Sequence, residues 1–182
     1  MTQKELFLGD MKEENRQTWL HHQSYPGSIH GMVFVCHLHC HESGDLKSYE
    51  DAKYKGEFEL NDNYRRHWCG YVGVPQGHEY YGVGYMDDYY SIHDIEAYTH
   101  GGITYTNKFE EWGDKFWFIG FDCSHCQDLT KWSEVQDETC HSEGKGSFKM
   151  NRSYKTKEYA KNQVNGMLKE LVNRFHNNME DK

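Results

Sequence analysis

The chain has 182 residues, a formal net charge of −9 and 36% hydrophobic residues. That length suits one domain with a core of its own, and 14 Tyr and five Trp supply large side chains for it. The excess of Asp and Glu over Lys and Arg argues against binding of extended nucleic acid, which depends on clustered Lys and Arg. Because the first residues are charged and the apolar runs are short, we expect neither a signal peptide nor a membrane span. The sequence therefore predicts a cytoplasmic protein with reduced cysteines.

The N-terminal third contains one predicted helix and one clear predicted strand. Asp10 and Glu13 form a capping-box pattern, which predicts a helix over residues 11–21. The run HGMVFVCHLHCH alternates as a strand does, and KGEFEL is a weaker strand candidate. The alternation in the first run places two valines and three histidines on one face: Val33, Val35, His37, His39 and His41.

The remaining sequence predicts three more strands and a long helix. WCGYVGVP is a strand that ends at Pro75, and GITYT and KFWFIGF form an antiparallel hairpin around the loop NKFEEWGDK. Residues 127–155 show no clear period and are predicted to be a loop or lid. Apolar residues recur at helical spacing over residues 156–176. We predict one α+β domain spanning residues 1–182, an antiparallel sheet with a long C-terminal amphipathic helix packed on one face.

The hairpin predicts a candidate site at one edge of the sheet. Since the start of its first strand lies beside the end of its second, His100 and its two following glycines should adjoin Asp122, Cys123 and His125. If WCGYVGVP runs in the same direction as KFWFIGF, the loop QGHEYYG reaches the same edge. The predicted ligand-binding residues are His78, Tyr81, His100, Gly101, Gly102, Thr104, Tyr105, Asp122 and His125.

Three motifs carry a resemblance to a known group of proteins. CGYVGVPQGHEYYG, HGGITYT and WFIGFDCSHCQD resemble the segments GYV.VP.GHP.YG, HGGLTY and WW.GFDCAH.GD of an uncharacterised phage-encoded family. The resemblance covers residues 68–128, and the C-terminal helix more loosely. Glu79 replaces a proline of that pattern, and Cys126-Gln127 replace a small residue and a glycine. The resemblance implies a phage origin and a location in the host-cell cytoplasm, and it implies no activity.

Two groups of residues are candidates for binding metal, although no cofactor is predicted. Cys123, Cys126, Cys140 and His141 have ligand types and a spacing that zinc accepts. Cys126 departs from the family pattern, which weakens this set. The alternating histidines of HGMVFVCHLHCH are the second candidate, for which a solvated polar strand face is the simpler interpretation.

Three functional hypotheses remain open. The preferred one is a binding protein whose aromatic, His- and Gly-rich edge sequesters a nucleotide-derived defence signal, such as a cyclic dinucleotide or a cyclic ADP-ribose-like molecule. The second is a hydrolase that cleaves such a nucleotide with His78, His100, Cys123 and His125. The third is an inhibitor whose acidic surface binds a host protein. A homo-oligomer is compatible with each of them.

Overall fold

The computed structural model describes residues 16–23, 32–42, 66–86, 99–130 and 152–180, together with positions 2, 3, 6, 92, 95 and 133. The predicted α+β architecture is confirmed, because a five-stranded antiparallel sheet carries the C-terminal helix on one face. The strands are β1 (Arg16–Gln23), β2 (Met32–Glu42), β3 (Arg66–Pro75), β4 (Tyr105–Asn107) and β5 (Phe116–Asp122), and the helix is α1 (Lys157–Glu180). Their order across the sheet is β1-β2-β3-β5-β4. Within the described ranges, no helix is long and apolar enough to cross a lipid bilayer.

The predicted N-terminal helix is wrong for residues 16–21, which belong to strand β1. β1 pairs antiparallel with β2 along its whole length. Partly buried Trp19 and His21 alternate with exposed Leu20 and His22, which is the period of a strand. The ladder of hydrogen bonds to β2 and the packing of Trp19 outweigh the capping pattern. That pattern and the KGEFEL candidate strand lie outside the described residues.

The two faces of the sheet pack against different partners. On one face, α1 covers β2 and β3, and Phe34, Leu38 and Trp68 are fully buried beneath it. The predicted apolar side of the helix is buried at Ala160, Val164, Met167, Leu168, Leu171 and Val172. The other face carries a smaller aromatic cluster around Val35 and Phe118. The alternation predicted for β2 is therefore confirmed.

A glycine sets the distance between α1 and the sheet. A Cβ atom on Gly70 of β3 would lie 2.5 Å from a methyl of Val164 and 2.6 Å from the ring of Phe121. Both distances are well inside van der Waals contact, so any side chain here would push the helix away. Gly70 therefore lets Val164 of α1 approach strand β3 closely.

Two short strands lie near the ends of the predicted loop over residues 127–155. β6 (Asp128–Leu129) pairs in parallel with β7 (Ser153–Tyr154), which leads directly into α1. Asp128 and Tyr154 are both buried. Residues 134–151 lie outside the described part of the chain. The pairing places Asp128 beside the first turn of α1.

Candidate functional site

The predicted hairpin is confirmed, and it joins His100 to His125. β4 pairs antiparallel with β5, with Tyr105 opposite Gly120. The turn before β4 thus returns to the end of β5, where the rings of His100 and His125 meet edge to face at a centroid distance of 5.1 Å. Gly101 lies between them with a φ of 68°, and a Cβ atom there would lie 2.7 Å from Nδ1 of His125. Glycine is required here both for the backbone conformation and for the close approach of the ring.

Asp128 connects the two histidines, although sequence reasoning did not place it among the binding residues. Its Oδ2 atom accepts a 2.8 Å hydrogen bond from the backbone N–H of His125 and lies 2.8 Å from Nε2 of His100. Nδ1 of His125 is 3.4 Å from the same oxygen. The Asp128 side chain is only 1% exposed. We call His100, His125 and Asp128 the His–Asp cluster.

Two residues near the start of α1 complete the surroundings of this cluster. The Tyr159 hydroxyl lies 2.9 Å from Nδ1 of His100. The Lys155 ammonium group is 3.6 Å from Oδ1 of Asp128 and donates a 2.7 Å hydrogen bond to Ser153. No sequence signal pointed to either residue, because β6 and β7 bring them there from about 30 positions away.

The electrostatics of the cluster favour an ionised Asp128. Burial opposes the charge, but the hydrogen bonds from His100 and from the backbone of His125, with the nearby charges of His100 and Lys155, hold the pKa of Asp128 below its ordinary value. Oδ1 of Asp128 and Nδ1 of His125 are both buried and have no hydrogen-bond partner in the described part of the chain. The cluster therefore combines a buried negative charge with two unsatisfied polar atoms.

Cys123 is packed behind this cluster within the core under α1. Burial, and then the negative charge of Asp128, raise the pKa of its thiol far above the ordinary value. A protonated thiol is a weaker nucleophile than a thiolate. Cys126 is exposed. Cys140 and His141 lie outside the described residues, so the predicted four-ligand zinc set stays a prediction.

The expectation that His78 and Tyr81 join this edge is wrong, because β3 and β5 are antiparallel. Pro75 at the end of β3 lies opposite Phe116 at the start of β5. Seven strand residues separate that point from the His–Asp cluster, a distance of roughly 20 Å. The loop after β3 is therefore at the opposite end of the sheet, where Tyr81 donates a hydrogen bond to the carbonyl of Asp114.

His78 has a structural role at that opposite end. Its Nδ1 accepts a 3.1 Å hydrogen bond from the backbone N–H of Tyr80, so its Nε2 carries the proton that is donated to the Leu171 carbonyl at 3.0 Å. Burial lowers the pKa of His78, which keeps the ring neutral. His78 thus ties the loop after β3 to the middle of α1.

A groove of about 520 Å³ opens next to the His–Asp cluster. Of the predicted binding residues, Thr104, Tyr105 and Asp122 contribute to its walls. Asp122 also lies between the two sites, since its Oδ1 accepts a hydrogen bond from the backbone N–H of Ser124 and is 4.0 Å from Nδ1 of His125. We call it the tyrosine groove, and its lining residues are His67, Cys69, Tyr71, Thr104, Tyr105, Phe121, Asp122 and Ser124.

The aromatic wall of the tyrosine groove is built across a glycine. Tyr71 on β3 and Tyr105 on β4 both lie opposite Gly120 of β5, and their rings meet edge to face at 5.2 Å. Phe109 packs against both tyrosines and stacks on Phe118 at 4.2 Å. Burial, followed by the neighbouring Cys69, raises the pKa of Tyr71. The Tyr71 phenol is therefore neutral at any physiological pH.

The histidines of β2 extend this aromatic surface. His37 is 2% exposed and packs against Tyr71 and Phe109, so the face is not solvated at this position. The His37 and His39 rings stack at a centroid distance of 6.3 Å. The side chain of His41 lies outside the described residues, and the predicted metal site on these three histidines stays a prediction.

Comparisons of the chain with models of protein families, with curated proteins and with solved structures found no match. The resemblance to a phage-encoded family therefore stands on the three sequence motifs alone.

Proposed function

We propose that the protein binds a small nucleotide-like molecule in the tyrosine groove. The observation that carries the proposal is the meeting of an aromatic wall with a carboxylate in one groove of about 520 Å³. Small-molecule sites have volumes of about 300–1,000 Å³ and combine apolar walls with a few polar groups. The groove has that size and that composition.

The lining residues suit a nucleobase attached to a ribose. Tyr105 is partly exposed on edge strand β4, where its ring can stack on a base. The Asp122 side chain, which is 29% exposed, can accept hydrogen bonds from an exocyclic amino group or a ribose hydroxyl. The Thr104 and Ser124 hydroxyls offer both donors and acceptors at the same wall.

The protonation states of two nearby residues favour capture of the ligand over its conversion. Tyr71 in the groove is held as a neutral phenol, and Cys123 behind it, a candidate only under the hydrolase hypothesis, is a buried protonated thiol. Following the motif resemblance, the captured molecule is a nucleotide-derived defence signal of an infected host, such as a cyclic dinucleotide or a cyclic ADP-ribose isomer. A protein that only sequesters its ligand needs a shaped pocket and no catalytic group.

Isothermal titration calorimetry against a panel of cyclic dinucleotides and cyclic ADP-ribose isomers tests the proposal. One class of ligand should bind, and Tyr105→Ala should weaken it about 5- to 150-fold, which corresponds to a stacking energy of about 1–3 kcal/mol. Tyr81→Ala is the matched control, because Tyr81 is also partly buried but lies at the other end of the sheet. Absence of heat with every ligand, or equal losses in both variants, contradicts the proposal.

A second candidate function is hydrolysis of the same ligand, and one contact favours it. The His100 ring lies between the Asp128 carboxylate and the Tyr159 hydroxyl, an arrangement in which an acid orients an imidazole for proton transfer. Chromatography of the ligand after incubation and denaturation separates the two functions. Intact ligand supports capture, whereas fragments that disappear with His100→Gln establish catalysis.

A further inference from the structure

We propose that the His–Asp cluster binds one divalent transition-metal ion, with zinc as the preferred ion. The inference is independent of any ligand in the tyrosine groove. His100, His125 and Asp128 each offer one donor atom, and these three atoms lie within 4.8 Å of one another. Two imidazoles and one carboxylate form a donor set that zinc and other first-row ions accept, with further positions left for water.

The distances within the cluster are close to those that such an ion requires. Zinc binds nitrogen and oxygen donors at about 2.0–2.2 Å, so two donors at tetrahedral angles are about 3.4 Å apart. Nδ1 of His125 is 3.4 Å from Oδ2 of Asp128, and Nε2 of His100 is 2.8 Å from the same oxygen. A shift of roughly half an ångström at His100 converts the hydrogen bond into two metal bonds.

Independently of the spacing, two buried atoms without hydrogen-bond partners lie in the same cluster. Oδ1 of Asp128 and Nδ1 of His125 are buried, and neither has a hydrogen-bond partner within the described ranges. The Asp128 side chain is 1% exposed and is paired with His100, and a buried carboxylate of this kind also suits a metal ion. Lys155 supplies a positive charge at 3.6 Å, outside hydrogen-bond distance. An ion bound by Nδ1 of His125 and Oδ2 of Asp128 would give the histidine nitrogen a partner, and Oδ1 of Asp128 would keep its contact with Lys155.

The surroundings hold the donor atoms in place. With an ion bound, the Tyr159 hydroxyl can accept a hydrogen bond from Nδ1–H of His100, which leaves the Nε2 lone pair free for the ion in place of its proton. On the other side of the cluster, the absence of a side chain at Gly101 lets the His125 ring lie against the turn. Tyr159 is therefore a positioning residue of the proposed site.

Titration of the untagged, EDTA-treated full chain with ZnCl₂ tests the proposal by calorimetry. The wild type should bind one equivalent, and Asp128→Asn and His100→Ala should weaken binding at least tenfold. Tyr159→Phe should weaken it about 10- to 100-fold, as is usual when the partner of a metal-binding histidine is removed. His22→Ala is the matched control, because His22 is an exposed histidine on β1. Loss of binding in the control, or unchanged binding in Asp128→Asn and His100→Ala, overturns the proposal.

Two further measurements test the proposal even if a variant with a substituted metal-binding residue fails to fold. Lys155→Met removes the cation that competes for Asp128, so Zn²⁺ should bind roughly tenfold tighter, which misfolding cannot mimic. Binding that is unchanged or weaker in Lys155→Met overturns the proposal. In the wild type loaded with Co²⁺, visible absorption without a thiolate charge-transfer band supports this site. A thiolate band instead assigns the ion to the cysteines and also overturns it.

Discussion

Replacing Gly120 with alanine tests how the wall of the tyrosine groove is built. A Cβ atom at Gly120 would lie 2.8 Å from Cε1 of Tyr71 and 2.9 Å from the carbonyl oxygen of Gly70. Carbon atoms pack at about 3.5–4.0 Å, so the Tyr71 ring must move by roughly 1 Å. The carbonyl of Gly70 belongs to the β3–β5 ladder and cannot follow without weakening the sheet.

The cost of Gly120→Ala can be worked out from these contacts. Overpacking a filled site costs about 1–3 kcal/mol. Replacing a glycine within a strand recovers about 0.5–1 kcal/mol of backbone entropy. The free energy of unfolding should therefore fall by about 1–2 kcal/mol, which urea denaturation followed by circular dichroism can resolve.

A double-mutant cycle identifies the ring that the methyl group meets. In a Tyr71→Ala background, Gly120→Ala should cost at least about 1 kcal/mol less, because only the contact with Gly70 remains. Gly82→Ala is the control, since Gly82 has a φ of 84° and nothing lies within 4 Å of its Cβ position. Its free energy of unfolding should fall by only about 1 kcal/mol, because of backbone strain alone. If Gly120→Ala costs the same in both backgrounds, Tyr71 does not lie over Gly120 and the described wall is wrong.

Two further predictions concern the two ends of the sheet. Gly101→Ala forces the His125 ring away from His100, so the variant should bind Zn²⁺ at least tenfold more weakly in calorimetry. Gly82→Ala also replaces a glycine with positive φ, and it should leave Zn²⁺ binding unchanged. Equal metal affinity in the two variants would show that His125 is not a ligand. The pKa of His78 is lowered from its ordinary 6.5 in the folded protein, so the unfolded chain binds the proton first. Stability should thus be full above pH 6.5 and fall below it, by at most about 1.4 kcal/mol per pH unit. Urea denaturation of His78→Gln across this range should show a shallower slope, and an unaltered slope would contradict a buried neutral His78.

Local patterns in the sequence predict those parts of the fold that depend on neighbouring residues. The alternation of β2, the helical spacing of α1 and the short connection between β4 and β5 each reflect contacts within about 20 positions. The hairpin is the local feature that predicts His100 beside His125. The capping pattern before β1 failed, because pairing with β2 is a contact that the local sequence does not contain.

The direction of β3 relative to β5 could not be read from the sequence. About 40 residues separate the two strands, and their apolar residues suit either a parallel or an antiparallel pairing. Because β3 and β5 pair antiparallel, His78 lies at the far end of the sheet, and Cys69 lies opposite Asp122. Lys155 and Tyr159 were missed for a similar reason, since the parallel β6–β7 pair joins segments 25 positions apart.

One short segment supplies residues to both sites because a strand ends within it. In FDCSHCQD, the alternation of β5 sends Asp122 toward the tyrosine groove and Cys123 into the core under α1. The chain then turns, and the hydrogen bond from the His125 backbone to Asp128 closes the turn and brings both side chains to His100. Asp122, 4.0 Å from His125, borders the groove on one side and the cluster on the other. A ligand in the groove and an ion in the cluster would therefore share a single carboxylate as their common wall, so their charges would act on each other at short range.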